Sequence, residues 1–214
     1  MTKIRIGGFS VSLDGFAAGT QQSLEYPLGK RGEELFPWFA DTRTFREQVL
    51  GESGGETGVD DDFGRRAMAG FGAFIIGRNM FGPVRGEWKD DQWKGWWGVN
   101  PPYHAPTFVL SHYPRASIEM EGGTTFHFIT DGIEVALQRA REVAGKLDVK
   151  IGGGVQTARQ YIIAGHVDEI HLAVAPVVLG QGEALFEGID LRALGYRTTE
   201  HVPTERATHV VLTR

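Results

Sequence analysis

Three consecutive glycines, Gly152-Gly153-Gly154, follow a short apolar run at 149–151 and precede helical spacing that begins near Val155. Bare backbone at such a bend lets a flat or charged ligand come close. The N–H groups of a helix start, here Val155 and Gln156, would meet that ligand with partial positive charge. A plain strand-to-helix turn accounts for the same glycines without any ligand. Three further places carry comparable signals. Gly77-Arg78-Asn79 ends an apolar run at 73–76, where the Arg offers a bidentate charge to phosphate, or is a solvated cation after a turn. Ser111-His112 ends another run at 107–110, with a hydroxyl and an imidazole that either face a phosphate or begin a loop. Asp14, in Asp14-Gly15 after the first strand, is either a turn residue bonded to its own backbone or a carboxylate facing a pocket.

Aromatic residues add a second kind of signal. Trp88, Trp93, Trp96 and Trp97 crowd into one segment that continues through Pro101-Pro102-Tyr103-His104. Such rings stack on planar ligands, and they also plug loops or subunit contacts. Trp88 is taken as a candidate wall of a substrate site. Other chemistries are excluded by spacing. The chain has no cysteine, so disulfides and thiolate catalysis are absent. The seven histidines show no metal-ligand spacing, and Asp60-Asp61-Asp62 reads as a cap and dipole partner of the next helix rather than a calcium loop. Gly8-Phe9-Ser10-Val11-Ser12 lacks the second Gly of a nucleophile elbow. The dinucleotide fingerprint is also incomplete, because Thr157 stands where its third Gly or Ala belongs.

The elements that must position these residues alternate. Residues 3–12 form a strand whose parity slips at Gly7-Gly8, which predicts a bulge or a close backbone approach. Helical spacing covers 39–50 and 63–70, and strands follow at 73–76, 107–110 and 125–129. Asp131 and Glu134 have capping-box spacing before a helix striped by Ile133, Leu137, Ala140 and Ala144 and closed by Gly145. A long strand at 169–179 is interrupted by Pro176, which predicts an edge or a bulge. Segments 196–202 and 207–213 form a closing antiparallel pair. This pattern specifies an α/β domain with a mixed, mainly parallel sheet, helices on both faces and an antiparallel C-terminal edge. Ligands of such sheets bind beyond the carboxyl ends of the strands, where Asp14, Gly77-Arg78, Ser111-His112 and the glycine bend all fall. At 214 residues the chain suits one domain, 1–214, with an irregular insertion at about 17–66. A net charge of -5 with no basic stretch argues against nucleic acid. No signal peptide or bilayer-spanning run is present, which predicts a cytoplasmic protein with no membrane partner.

In order, Ser12-Leu13-Asp14-Gly15-Phe16, Gly77-Arg78, Leu110-Ser111-His112, Ile151-Gly152-Gly153-Gly154 and Ala175-Pro176-Val177-Val178-Leu179-Gly180 resemble the dihydrofolate reductase-like superfamily. The branch they resemble most is that of the riboflavin-biosynthesis reductase domain. The resemblance implies a three-layer fold, NADPH as cofactor, a small planar heterocycle as substrate and a homodimer. It places Gly77, Arg78 and Asn79 at the adenine-side phosphates, with Arg78 on the ribose 2′-phosphate. Ser111 and His112 lie beside the adenosine. Gly152, Gly153 and Gly154, with Val155 and Gln156, approach the pyrophosphate and nicotinamide, and a cis peptide is expected at Gly152–Gly153. Asp14 faces the substrate and supplies a proton directly or through water, opposite Glu183. The acid of the first helix in true dihydrofolate reductases has no aligned counterpart among Glu25, Glu33 and Glu34, so folate reduction is not implied. The basic residues that would bind a ribosyl phosphate are not evident either, so the riboflavin-pathway step is not implied. An alternative function is a catalytically silent NADP-binding sensor on the same fold.

Overall fold

Strand β1 (Ile4–Val11) opens with the alternation its residues demand. Ile4 and Ile6 are fully buried, and Arg5 between them turns to the other face, where Glu169 and Asp148 hold it at 3.0 and 3.4 Å. The register to a neighbouring strand slips between Ile6 and Phe9, which is the irregularity predicted at Gly7-Gly8. Gly8 has φ 69°, and a Cβ there would sit 2.9 Å from that of Ala67, so backbone conformation and close packing both require glycine. The computed structural model describes residues 2–82, 85–89 and 91–214. Asp90, within the tryptophan-rich segment, lies outside them.

After β1 come β2 (Phe16–Ala18), the short helices α1 (Pro37–Ala40) and α2 (Arg43–Phe45), a wide helical turn at Arg46–Leu50, and α3 (Val59–Met68). The single helix expected over 39–50 is therefore broken. Thr42 is extended, and its hydroxyl accepts the Phe45 N–H at 3.1 Å, capping a restart. The three acids lie inside the first turn of α3 rather than at its cap, which is Gly58. Asp61 is buried and accepts the Thr44 N–H at 2.7 Å, tying α2 to α3.

Then follow β3 (Phe71–Gly77), α4 (Arg78–Phe81), β4 (Pro106–Leu110), β5 (Ile118–Glu119), β6 (Thr125–Ile129), α5 (Ile133–Ala144), β7 (Asp148–Gly153), α6 (Val155–Ile163), β8 (Glu169–Val174), β9 (Glu183–Ala184), β10 (Arg197–Pro203) and β11 (Thr208–Thr213). Among the described residues nine strands form one sheet in the order β10-β11-β8-β1-β7-β3-β4-β6-β5, and β2 pairs with β9. The pairs from β8 to β6 are parallel, while β11, β10 and β5 run antiparallel at the edges. This is the mixed, mainly parallel sheet with an antiparallel C-terminal edge that the sequence pattern specifies.

Both faces are covered. On one, Ile4, Ile6, Ile75, Val149 and Ile151 meet Leu137 and Ala140 of α5 and Ala158 and Tyr161 of α6. Each such aliphatic side chain contributes roughly 1.5–3 kcal/mol by leaving water. On the other, Trp38 and Phe63 pack on Ala173 and Val211. The indole N–H of Trp38 donates to Ser10 Oγ at 2.8 Å, which satisfies its buried polar atom.

Three local expectations change. Gly132, at φ 89°, is the N-cap of α5 with no side-chain cap, so Asp131 does not close a capping box. Pro176 lies beyond β8, which ends at Val174 between β1 and β11, so it makes neither an edge nor a bulge. The cis peptide joins Gly153 to Gly154, one residue later than expected, because β7 continues through Gly153 opposite Ile76. Among the described residues no helix is long and apolar enough to cross a membrane.

Candidate active site

A polar cleft of about 420 Å³ opens at the carboxyl ends of β3, β4, β6 and β7. Strand β3 delivers Gly77, Arg78 and Asn79; β4 delivers Ser111 and His112; β6 leads to Thr130 and Gly132; β7 leads to Gly154, Val155, Gln156 and Thr157. Sheet order makes these loops neighbours although they are far apart in the chain. Helices α5 and α6 both begin at this cleft, from Gly132 and Gly154, and neither has a side-chain cap. Their first N–H groups and dipoles therefore remain available to an anion.

Arg78 sits over Trp88, its guanidinium carbon 3.7 Å from the ring centroid, and the Tyr113 ring centroid is 5.5 Å away. Its Nε and Nη2 are closed off from solvent and, among the described residues, have no hydrogen-bond partner. Desolvation lowers its pKa, with Arg85 and Arg115 working the same way. Buried donors without partners are costly and mark a place where a ligand acceptor is missing. Asn79 repeats the sign. Its Nδ2 donates to Gln22 at 3.0 Å, while its Oδ1 is buried without a partner. Gly77 is required by its neighbour, since a Cβ there would overlap Thr157 Oγ1. The residues present thus fit a phosphate-bearing cofactor.

A second cavity, about 520 Å³ and mostly apolar, lies on the opposite side of the glycine bend. Gly7, Gly8 and Phe9 of β1, Phe74 of β3 and Ala67 of α3 form its floor. Residues 27–49 contribute Leu28, Phe36, Trp38, Phe39 and Phe45, and the tryptophan-rich segment contributes Trp96, Trp97 and Tyr103. Gly152 lines this cavity, Gly154 lines the polar cleft, and Asn79 reaches both. Burial pushes the Tyr103 phenol up to about 12, although it takes a hydrogen bond from Trp97. Lys150 also lines the cavity. Its Nζ donates to the Ala67 carbonyl at 2.5 Å, and burial, then Arg5, pulls its ammonium down to about 8.

The structure brings together Gly77, Arg78, Asn79, Ser111, His112, Gly154, Val155 and Gln156 around the polar cleft. Ser111 Oγ also accepts the Tyr113 N–H at 3.1 Å, which shapes its loop. Gly152 turns to the apolar side, and Gly153 lies between, where a Cβ would meet Met80 and Phe9. Glu183 lines the polar cleft rather than the apolar cavity. Trp88 lines neither cavity; it is the platform under Arg78, anchored by its N–H to the Tyr113 carbonyl at 3.1 Å. Asp14 is also not brought in. Its two oxygens accept the N–H groups of Leu179 and Gly180 at 3.1 and 2.7 Å, clasping the loop after β8. Its pKa is lowered by Ser12 first and by those backbone bonds. Lys150 and Trp38 were missed by sequence reasoning. The signal for Lys150 was available: a cation between Val149 and Ile151 in a strand that a parallel sheet covers on both faces.

Residues 6–210 match the family described as RibD C-terminal domain, and the chain belongs to that family. The fold is the dihydrofolate reductase-like one. A protein of Shewanella sp. PV-4 described with riboflavin biosynthesis superposes with a TM-score of 0.58 at 21% identity, covering 100% of this chain and 99% of that one. Dihydrofolate reductase of Enterococcus faecalis, solved with NADP(H), gives 0.53 at 16% identity, covering 100% and 96%. RibD of Acinetobacter baumannii gives 0.52 at 15% identity, covering 100% of this chain and 58% of that one. The protein YyaP of Bacillus subtilis is 36% identical over 75 residues, a stretch covering 33% of this chain and 39% of YyaP.

Proposed function

We propose that the chain is an NADPH-dependent reductase of a small planar ring compound. One observation carries this reading: a side-chain-free bend separates a cleft where two uncapped helices begin from an aromatic cavity, with Gly154 on one side and Gly152 on the other. Arg78, Asn79, Ser111 and His112 would hold the adenosine side of the cofactor, and the starts of α5 and α6 its pyrophosphate. Arg78, with Arg85 beside it in the cleft, favours the 2′-phosphorylated nucleotide. The bound nicotinamide supplies a hydride, and the protein's part is to orient it, exclude water and hold a proton. Lys150 Nζ holds that proton inside the substrate cavity, a role expected of Asp14 from the sequence. Family membership and the NADP(H) bound to the E. faecalis reductase support the cofactor assignment. The resemblance extends the proposal to a cytoplasmic homodimer, whose association sedimentation equilibrium reads directly.

The test has two parts. Millimolar NADPH should raise the unfolding temperature, and NADPH should be oxidised in the presence of at least one planar acceptor from a panel of pterins, flavin precursors and quinones. Binding without oxidation by any acceptor would favour a silent NADP-binding protein. No thermal shift would remove the cofactor altogether.

A further inference from the structure

The apolar cavity has a composition that narrows its occupant. Its walls are aromatic rings and aliphatic carbon, with Trp38, Phe39, Phe74 and Trp96 prominent. Among the described residues lining it, Lys150 carries the one charge, and none is a carboxylate. The other polar side chains are the Tyr103 phenol, a donor that can also accept, the Asn79 amide, whose nitrogen is engaged and whose oxygen is an uncharged acceptor, and the indoles of Trp38, Trp96 and Trp97, whose N–H groups are engaged within the protein. A pterin presents an amidine edge whose N–H donors call for a carboxylate, and this cavity offers none among its described residues. An ammonium bound to one backbone carbonyl keeps further donors to offer. In apolar surroundings those donors act on an oxygen far more strongly than in water.

We infer that the substrate cavity selects a flat, mostly apolar ring compound carrying an anionic oxygen that pairs with Lys150, of the hydroxyquinone class rather than the pterin class. The inference rests on the reading of this cavity as the substrate side, and it assigns to Lys150 recognition of that oxygen. Lys150 sits on β7 two residues before Gly152, on the same face of the sheet, so the charged group and the bare backbone line one wall. An oxygen held by Lys150 therefore fixes which edge of the ring turns toward the bend.

The probe is 2-hydroxy-1,4-naphthoquinone, titrated into the full chain without nucleotide and followed by calorimetry, with its O-methyl ether and 6-methylpterin as comparators. The hydroxyquinone anion should bind at least tenfold more tightly than the ether and more tightly than the pterin. Lys150→Met should remove at least tenfold of that affinity, and Lys150→Arg should retain most of it. Equal affinity for the anion and its ether in the wild-type protein, or tighter binding of the pterin, overturns the inference whether or not the variants fold. The unfolding-temperature shift with NADPH is read on the same preparation. A failed quinone titration with an intact NADPH shift therefore sinks the substrate class alone.

Discussion

The backbone N–H of Gly8 donates to Nδ1 of His171 at 3.1 Å, and that bond sets the tautomers of two buried imidazoles. An amide N–H can only donate, so His171 carries its proton on Nε2 and gives it to His209 Nδ1 at 3.0 Å. His209 Nε2 then donates to Asp60 at 2.8 Å. Phe63 stacks on both rings, with centroids 4.8 and 4.2 Å away, and seals the chain. The relay ends on the Gly8 bulge, which also floors the apolar cavity, so a polar network in the core holds the shape of the candidate site.

That arrangement predicts how stability depends on pH. Burial, then His209, pushes His171 down from 6.5 to about 3, and burial also lowers His209 against the opposing pull of Asp60. Both imidazoles are therefore neutral in the folded state, whereas the unfolded chain takes up protons near pH 6.5. The stabilisation is complete above that value and is lost as pH falls from 6.5 toward 3. His171 alone should cost about 1.4 kcal/mol between pH 7.5 and 5.5. Urea unfolding at those two values measures it, and equal stability at both would show that the relay accepts a proton without penalty.

Gly77 and Thr157 give a packing prediction. A Cβ at Gly77 would overlap Thr157 Oγ1, so Gly77→Ala should destabilise the protein by about 1–3 kcal/mol and displace the start of α4. The double variant Gly77→Ala with Thr157→Ala should recover most of that loss. Denaturant midpoints of the single and double variants check the coupling, and simple additivity would place the strain elsewhere.

Arg78 and Trp88 give a binding prediction. Arg78→Met removes the half-buried cation of the cleft and should raise the NADPH dissociation constant at least tenfold while narrowing any preference over NADH. Trp88→Leu removes the platform, a contact of about 0.5–2 kcal/mol, and should weaken binding severalfold. Calorimetric titration of both nucleotides reads the outcome; unchanged affinity in both variants would mean the Arg78 stack only fills space.

The sequence made the sheet legible because most of its strands announce themselves locally. Residues 125–129 form β6 as expected, and the stripe from Ile133 to Ala144 is the buried face of α5. The cleft was legible for a related reason: strand ends in α/β sheets converge whatever the loops contain. The apolar cavity was not. Gly8, Trp38, Ala67 and Lys150 meet only because the sheet order sets β1 beside β7, a relationship no window of sequence displays. Asp14 misled for the same reason. Its partners, Leu179 and Gly180, lie 165 and 166 residues away, so a turn residue and a long-range clasp look alike in the sequence. The break at Thr42 was hidden because apolar spacing continues across it while a side-chain cap restarts the helix.

Gly154 offers the most direct measurement. It lines the polar cleft with φ -70°, outside the left-handed region that favours glycine, and a Cβ there would meet nothing within 4 Å beyond its chain neighbours. Gly154→Leu should therefore leave the unliganded unfolding temperature within a few degrees of wild type while filling the space assigned to the cofactor. In a direct NADPH titration, wild-type binding with at least a tenfold loss in Gly154→Leu is the result this account predicts. Equal NADPH affinity in the two proteins would contradict it.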